Sequence, residues 1–533
     1  MTEHRFLLGL PGVGGVVHLS WRLLPSDAPD VVFHVERDGE SVTAKPISDS
    51  TNWLDSPPGG GVRRYRVRVV GGAESEEITV DASAEATNLA RDIPLEDSIT
   101  DVPGIVVGDL SNDGKLGYVL RAVRDGRVWI VAYHHDGDFL WERDTNLPAV
   151  GGWDGSTLHV PLLCWDVNAD GRTEVVYHSH VGSYPHEKHG APSDNSRLKA
   201  VDGETGEDVW EAPWPSVQPR VMMTVGQLHG MDAPASVVVQ DETYRNVVLT
   251  AVNGATAKAD WRVEQERPGG HNLDIADIDG DGAQEVICGG VCYNGDGTVR
   301  WEAEPFGHTD ISKPGRIVPG LDGMQIWYAV ESNNTGVYLV DQHGKTLWKE
   351  PFRHAHYGWL ARHAPGVGGL HPHTAEDGRH EYGAVDAGMR ESGHFPIYLP
   401  DGSHWLNLTD WERKNFVPVH WDGGPEVAFI IRKEDKRIVT LSGDGEMVDL
   451  DDGGLPEGGK YERNLGCVDV IGDYRENIVT VDMERKALMV LANPTVNDRR
   501  GYSPWDDFEY RHDRSQLGSG YYIYISPSNT IVG

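Results

Sequence analysis

The sequence predicts an all-β protein: a small β-sandwich followed by a single β-propeller of seven or eight blades. Three observations carry this. Gly accounts for 64 of 533 residues, and 17 Trp with 19 Tyr far outnumber 9 Phe, a mix that suits many tight turns joining strands with aromatic faces. A Gly turn followed by a Trp recurs, about once in 40–70 residues. No stretch of useful length has helical periodicity.

The first element lies within residues 15–82. Alternating runs VVHLSWRLL, VVFHVERDG, TNWLD and VRRYRVRVV are separated by Asp, Pro and Gly turns, the pattern of half-buried strands. They read as a fibronectin type III-like module, assigned to 1–95, with the propeller over 96–533. The repeating units of the propeller are HHDGDFLWE (134–142), DGETGEDVWE (202–211), NGDGTVRWE (294–302), QHGKTLWKE (342–350) and PDGSHWLN (400–407). A turn followed by a strand with a fixed aromatic marks a blade. The tail, 496–533, is expected to close the ring with a strand around YYIYI.

Between these units stands an acidic repeat: GDLSNDGKLGYV, WDVNADGRTEVV, ADIDGDGAQEVI and DVIGDYRENIV. Asp166, Asn168, Asp170 and Glu174 form one set of oxygen ligands. Asp277, Asp279, Asp281 and Glu285 form a second. Hard oxygens at alternate loop positions, a turn Gly and a returning carboxylate suit Ca²⁺ in a structural role. The alternative is a solvated Asp-Gly turn. Asp109, Asn112 and Asp113 make a degraded copy, expected to be empty.

His271, Cys288, Cys292 and His308 form another constellation. A Cys-x3-Cys pair flanked by His, in a chain with 4 Cys, suits a structural Zn²⁺ site; the alternative is two buried thiols and core histidines. Nearby lie His159, Tyr177-His178-Ser179-His180 and a loop with His186, Lys188 and His189. His178 and His180 are two apart on a strand and share a face. With Arg220, Tyr244 and Arg245 from the next blade they offer proton transfer. His178, Arg220 and Lys188 are expected to contact substrate.

Charge narrows the function. Against 83 Asp+Glu stand 47 Lys+Arg, a formal net charge of −36. Nucleic acid is excluded as the main partner, because phosphate binding needs clustered cations. With no run of 18 or more apolar residues, no membrane-spanning segment is expected, and MTEHRFLLGLPGVGG lacks the basic start of a signal peptide. The expected location is cytoplasmic, or secreted if a leader was removed; the expected state is a monomer.

Taken in order, "VHLSWRLL…VVFHVERDGE…STNWLD", "STLHVPLLCWDVNADGRTEVV", "GGHNLDIADIDGDGAQEVICGG", "GHTDIS" and "GDYRENIV" resemble the β-propeller polysaccharide lyases, the rhamnogalacturonan and ulvan lyases. The resemblance runs almost end to end. It implies an anionic rhamnose-containing polysaccharide or oligosaccharide as substrate. Shorter blades and a paired His set depart from the rhamnogalacturonan lyases, and the paired histidines with the Cys288/Cys292 pair look more like the zinc-bearing ulvan lyases, so ulvan-type cleavage is expected, with rhamnogalacturonan or rhamnosyl-glucuronate cleavage as the alternative. On this likeness His159 and His180 fall at catalytic histidine positions, Arg245 is the arginine that neutralises the substrate carboxylate, and Tyr244 stands beside it.

The chemistry is consistent with that set. β-Elimination removes the C5 proton of a uronate and expels its O4 substituent. The proton becomes acidic when the neighbouring carboxylate is neutralised, which Arg does bidentately. A base must reach C5 and an acid must protonate O4. Glycoside hydrolysis would need two free carboxylates, and here the obvious ones stand in the acidic loops. The rival of another class is a non-catalytic, calcium-stabilised carbohydrate-binding propeller, which has no need of a His/Tyr/Arg set.

Overall fold

Alternation in the front segment and continuous apolar runs further on give two kinds of sheet. The computed structural model describes residues 2–149, 160–184, 194–217, 221–241, 244–304, 307–331, 336–351, 355–376, 395–407, 416–431, 436–450, 455–459 and 466–516. In strand Phe33–Arg37, Phe33 and Val35 point inward, and in Val62–Val69, Tyr65 and Val67 do the same. They meet Trp21 and Leu19 in one apolar core between a six-stranded and a three-stranded sheet. This is the expected sandwich.

Eight four-stranded sheets follow among the described residues, which makes the propeller eight-bladed. Blades 1 to 7 are antiparallel meanders over 101–148, 162–213, 221–265, 273–302, 309–350, 355–407 and 416–449. The first strands of blades 1 to 6 lie side by side in sequence around the axis, and that of blade 7 lies beside Cys467–Val468. Strands such as Ser236–Asp241 and Gln325–Val330 are buried at every residue, because each blade is covered on both faces; hence their unbroken apolar runs.

Blade 8 corrects one expectation. Its strands Cys467–Val468, Asn477–Asp482 and Ala487–Leu491 are completed by Leu89–Pro94. The closing strand therefore comes from the chain just after the sandwich, and not from the tail. It lies on the sandwich side of residue 95 yet belongs to the propeller sheet. Residues 517–533 lie outside the described residues. The tail before them forms a short helix, α1 (Phe508–Arg514), that packs into the ring. Ser515 O accepts from Cys164 N at 3.1 Å, His512 Nε2 donates to Val225 O at 2.6 Å, and Arg514 pairs with Glu476 at 2.7 Å. These partners belong to blades 2, 3 and 8, so α1 fills the axis at one end.

The Gly-turn-Trp repeat has a physical reason that spans blades. Trp141 Nε1 donates to Gly203 O, Trp261 to Gly295 O, Trp301 to Gln342 O and Trp348 to Pro400 O, all at 2.8–3.0 Å. Each acceptor lies in the hairpin turn of the next blade. The indole rings also cover the turn glycines: a Cβ on Gly344, whose φ is +82°, would come within 2.8 Å of the Trp301 ring. At these four junctions the Trp staples one blade to the next.

Candidate active site

Register separates the two ends of the ring. In blade 2, Trp165 pairs with Glu174, beside the acidic loop, while His180 pairs with Ser196 at the far end of the same sheet. In blade 4, Ala276 pairs with Glu285 at the loop end and Leu273 with Cys288 at the other. The acidic loops and the histidine-bearing segments therefore occupy opposite mouths. Helix α1 fills the axis toward the loop end.

At the mouth opposite those loops, blades 3, 4 and 5 converge. His271 and His308 each precede the first strand of a blade, and Glu331 follows the second strand of blade 5. The segments are locked together: His271 N donates to Thr309 O and Glu331 N to His308 O, both at 2.9 Å, while Gln240 Nε2 donates to Gly270 O at 2.8 Å. The imidazole centroids of His271 and His308 lie 4.4 Å apart, in a T-shaped contact. Asp310 Oδ1 is 3.7 Å from His271 Nε2 and 4.0 Å from His308 Nε2, and Glu331 Oε2 is 3.5 Å from His308 Nε2.

One ligand atom from each of His271, His308, Asp310 and Glu331 falls within a sphere where all lie 4.8 Å or less apart. The Asp310 side chain is 0% exposed, and a carboxylate charge that deep needs a compensating positive charge. Two imidazoles and two carboxylates converging on one point fit a divalent cation. Tyr244 stands over this centre. Its Oη is 3.5 Å from His271 Nε2 and 3.3 Å from Glu331 Oε2, and its ring lies 4.1 Å from that of His308. Tyr244 is exposed above four buried or half-buried groups, so it faces what enters the mouth. Arg245 is exposed beside it.

The Cys2His2 quartet is corrected by the strand pairing. Cys292 pairs with Ile287 and Cys288 with Val291, so the two thiols project from opposite faces of the blade. Cys288 sits in the large core shared with blades 3 and 5, with its Sγ 3.2 Å from Gln240 Oε1. Cys292 packs with Trp301 and Tyr328 in a separate cluster. Burial pushes the Cys288 thiol up to about 12, away from the thiolate a metal takes. His271 and His308 keep company with Asp310 and Glu331 instead. Asp310 belongs to the GHTDIS segment, so a His-x-Asp pair on one strand face was there to be read. Glu331 had no comparable signal.

His178 is corrected too. It is buried and stacked on Trp214, with centroids 4.0 Å apart and planes 12° apart, so it packs between strands rather than meeting substrate. His180 shares its face, as the spacing requires; its Nδ1 meets Gly182 O at 2.9 Å and its ring meets Tyr184 edge-on. His159, Lys188 and Arg220 lie outside the described residues, as do His186 and His189.

The acidic loops are tight turns closed by their own carboxylates. In blade 2, Asp166 accepts from Asp170 N and Gly171 N, and Glu174 accepts from Val167 N at 2.9 Å. Burial pushes Glu174 up to about 8. In blade 4, Asp277 accepts from Gly280, Asp281 and Gly282 N, and burial pushes Glu285 up to about 7. Here Arg300 bonds to both Asp279 and Glu285, placing a positive charge inside the expected ligand set.

Comparison with known proteins agrees with this architecture. Residues 208–529 match the family model "Rhamnogalacturonan lyase family 11, C-terminal domain", and residues 4–84 match "Rhamnogalacturonan I lyases beta-sheet domain". The chain is 24% identical to the rhamnogalacturonan endolyase YesW of Bacillus subtilis (strain 168), over 95% of its length and 87% of that protein's. To the rhamnogalacturonan exolyase YesX of the same organism it is 26% identical, an alignment that covers 62% of this chain and 63% of the exolyase. The crystal structure of YesX superposes with a TM-score of 0.80 at 21% identity, and that of the Bacillus licheniformis rhamnogalacturonan lyase PL11 with 0.77 at 23%; each covers 99% of this chain and 96% of the other. The matched family model spans more than half of the sequence, and the chain belongs to rhamnogalacturonan lyase family 11, a family of polysaccharide lyases.

Proposed function

We propose that this protein cleaves rhamnogalacturonan by β-elimination at the mouth formed by blades 3, 4 and 5. The family match favours this substrate over the ulvan-type polymer suggested by the paired histidines and cysteines, and the cysteines have left the site. The observation that carries the reading is the convergence of Tyr244, His271, His308, Asp310 and Glu331. A divalent cation held by His271, His308, Asp310 and Glu331 would supply positive charge against the uronate carboxylate and so acidify C5–H.

The chain's own groups then divide the work. Asp310 and Glu331 fix the two imidazoles from below, so the centre is set before substrate arrives. Arg245, exposed beside Tyr244, adds a second positive charge for the carboxylate. Tyr244, the exposed member, lies where a sugar ring enters and is the proton-transfer group. The C5–H electrons form the C4–C5 double bond, the C4–O4 bond breaks, and O4 takes up a proton. His180, at the same mouth, is the second proton-transfer candidate.

The test is incubation with rhamnogalacturonan I, ulvan and a rhamnose-capped glucuronan, following the ultraviolet absorption of the unsaturated uronate. Rhamnogalacturonan I is expected to be the best substrate. Tyr244→Phe and Asp310→Asn are each expected to lower kcat by about 100-fold or more with the fold intact. Ulvan as the best substrate, or near-normal rates in both variants, would overturn the assignment.

A further inference from the structure

Blade 1 carries the degraded copy of the acidic repeat, and its chemistry has changed. The closing Glu of blades 2 and 4 is replaced by Gly117, pressed against Leu110 and Tyr133 O, so the oxygen set for a hard cation is incomplete. Two histidines from the neighbouring hairpin turn stand beside Asp113, while Asp109, the other remaining carboxylate, closes the turn by accepting from Asp113 N and Gly114 N. His134 Nε2 is 3.1 Å from His135 Nδ1, and Asp113 Oδ2 is 3.6 Å from the first and 3.9 Å from the second.

We infer that Asp113, His134 and His135 form a binding site for a borderline divalent cation of the zinc, nickel or copper class, at the end of the ring opposite the His271/His308 centre. Ligands about 2.0–2.2 Å from such an ion lie roughly 3–3.5 Å from one another, and the three separations need only a small inward shift to match. Two imidazoles and one carboxylate select a borderline metal over calcium. His134 is already turned the right way, since its Nδ1 meets Asp136 Oδ1 at 2.9 Å, which leaves Nε2 as the lone-pair atom. The three side chains are 23%, 18% and 37% exposed for His134, His135 and Asp113, so an ion reaches them from solvent.

The second position of this turn is Gly203, Gly254 and Gly295 in blades 2 to 4, where a Cβ would come within 2.0–2.6 Å of backbone oxygen. Blade 1 alone among these four blades places an imidazole there. The ion would tie the 109–116 loop to the 134–138 turn.

The site also holds its own competitor. Lys115 Nζ lies 3.2 Å from His135 Nε2. While it donates there, the His135 proton sits on Nδ1 and points at His134. Seating an ion moves that proton to Nε2 and displaces the ammonium.

The experiment is calorimetric titration of the full chain, freed of metal by chelation, with Ni²⁺ and with Zn²⁺ at neutral pH. The His134→Asn/His135→Asn double variant is expected to take up one equivalent fewer than the wild type, whatever the His271/His308 centre binds, while lyase activity is unchanged. Asp136→Ala is expected to weaken this equivalent by about 10-fold, and Lys115→Ala to tighten it several-fold. His135→Gly, which restores the residue of the other blades, serves if the double variant fails to fold. Equal stoichiometry and affinity in the wild type and the histidine variants would overturn the site, as would no uptake by the wild type.

Discussion

At the scale of single residues, the strongest constraint is which face of a strand a side chain occupies. Cys288 and Cys292 are four apart in sequence and sit on adjacent strands, yet register sends them into different cores. Cys288→Ala and Cys292→Ala are therefore expected to leave bound-metal content unchanged, read by elemental analysis, while each lowers stability by about 1–3 kcal/mol through lost packing. Loss of a metal equivalent in either variant would restore the thiols to the site. The same parity rule made His178 and His180 legible as face-sharing neighbours, but not what that face meets. Trp214, more than thirty residues on, decides that His178 is packed. His271 and His308 were legible as a pair. Asp310, two residues beyond His308, was there to be read with it; Glu331 was not, because the contact is made by three chain segments that meet only when blades 4 and 5 stack.

At the scale of elements, one acidic repeat performs different work in different blades. In blade 2, Arg172 turns away to Asp202 at 2.8 Å, and Asn168, a neutral amide, bonds to Asp170 and Glu174. In blade 4, Arg300 reaches into the loop and bonds to Asp279 and Glu285. In blade 8, Glu476 accepts from Tyr510 Oη and Arg514 and so anchors α1. Spacing reveals the repeat and the turn it makes; it does not reveal the residue beyond the repeat that supplies the positive charge. Calcium dependence is expected to concentrate in blade 2. Chelation should lower the Tm of the wild type and do so far less in Asp166→Ala. Arg300→Ala should make the chelator effect larger, because blade 4 then needs an ion of its own. A chelator effect equal in all three proteins would refute this division.

At the scale of the whole molecule, the sandwich and the ring are joined by buried polar groups. Ser20 Oγ donates to Asp473, Asn52 Nδ2 donates to Tyr474 Oη at 3.1 Å, and Leu23 N donates to Gly501 O at 2.7 Å. The architecture was readable because its signals are local: alternation in the sandwich, Gly-turn-Trp in the blades. Ring closure was not, since the closing strand Leu89–Pro94 pairs with Ala487–Leu491, far along the chain, and no local pattern marks so distant a partner. An aromatic tail was the more visible candidate.

The joint itself makes a prediction about pH. Asp469, which accepts from Ser503 Oγ and from Gly472 N, is fully buried with Asp473 close by. Burial, and then the Asp473 charge, push it up to about 8, and burial raises Asp473 as well. In the folded protein these carboxyls hold protons that the unfolded chain loses near pH 4. The folded state therefore binds more protons across that window, and stability falls as pH rises through it. The stabilisation is full below about pH 4 and is lost by the time Asp469 ionises. For one proton the slope is at most about 1.4 kcal/mol per pH unit. Asp469→Asn keeps an oxygen for Ser503 and Gly472 without a charge to bury, so it should flatten the decline between pH 5 and pH 8 (about one proton's worth). Urea unfolding at stepped pH measures the slope directly. An Asp469→Asn protein with the wild-type slope would place the titrating groups elsewhere; a slope shallower by about one proton's worth, with the remainder left to Glu174 and Glu285, would locate that share of the pH sensitivity at the seam between sandwich and ring.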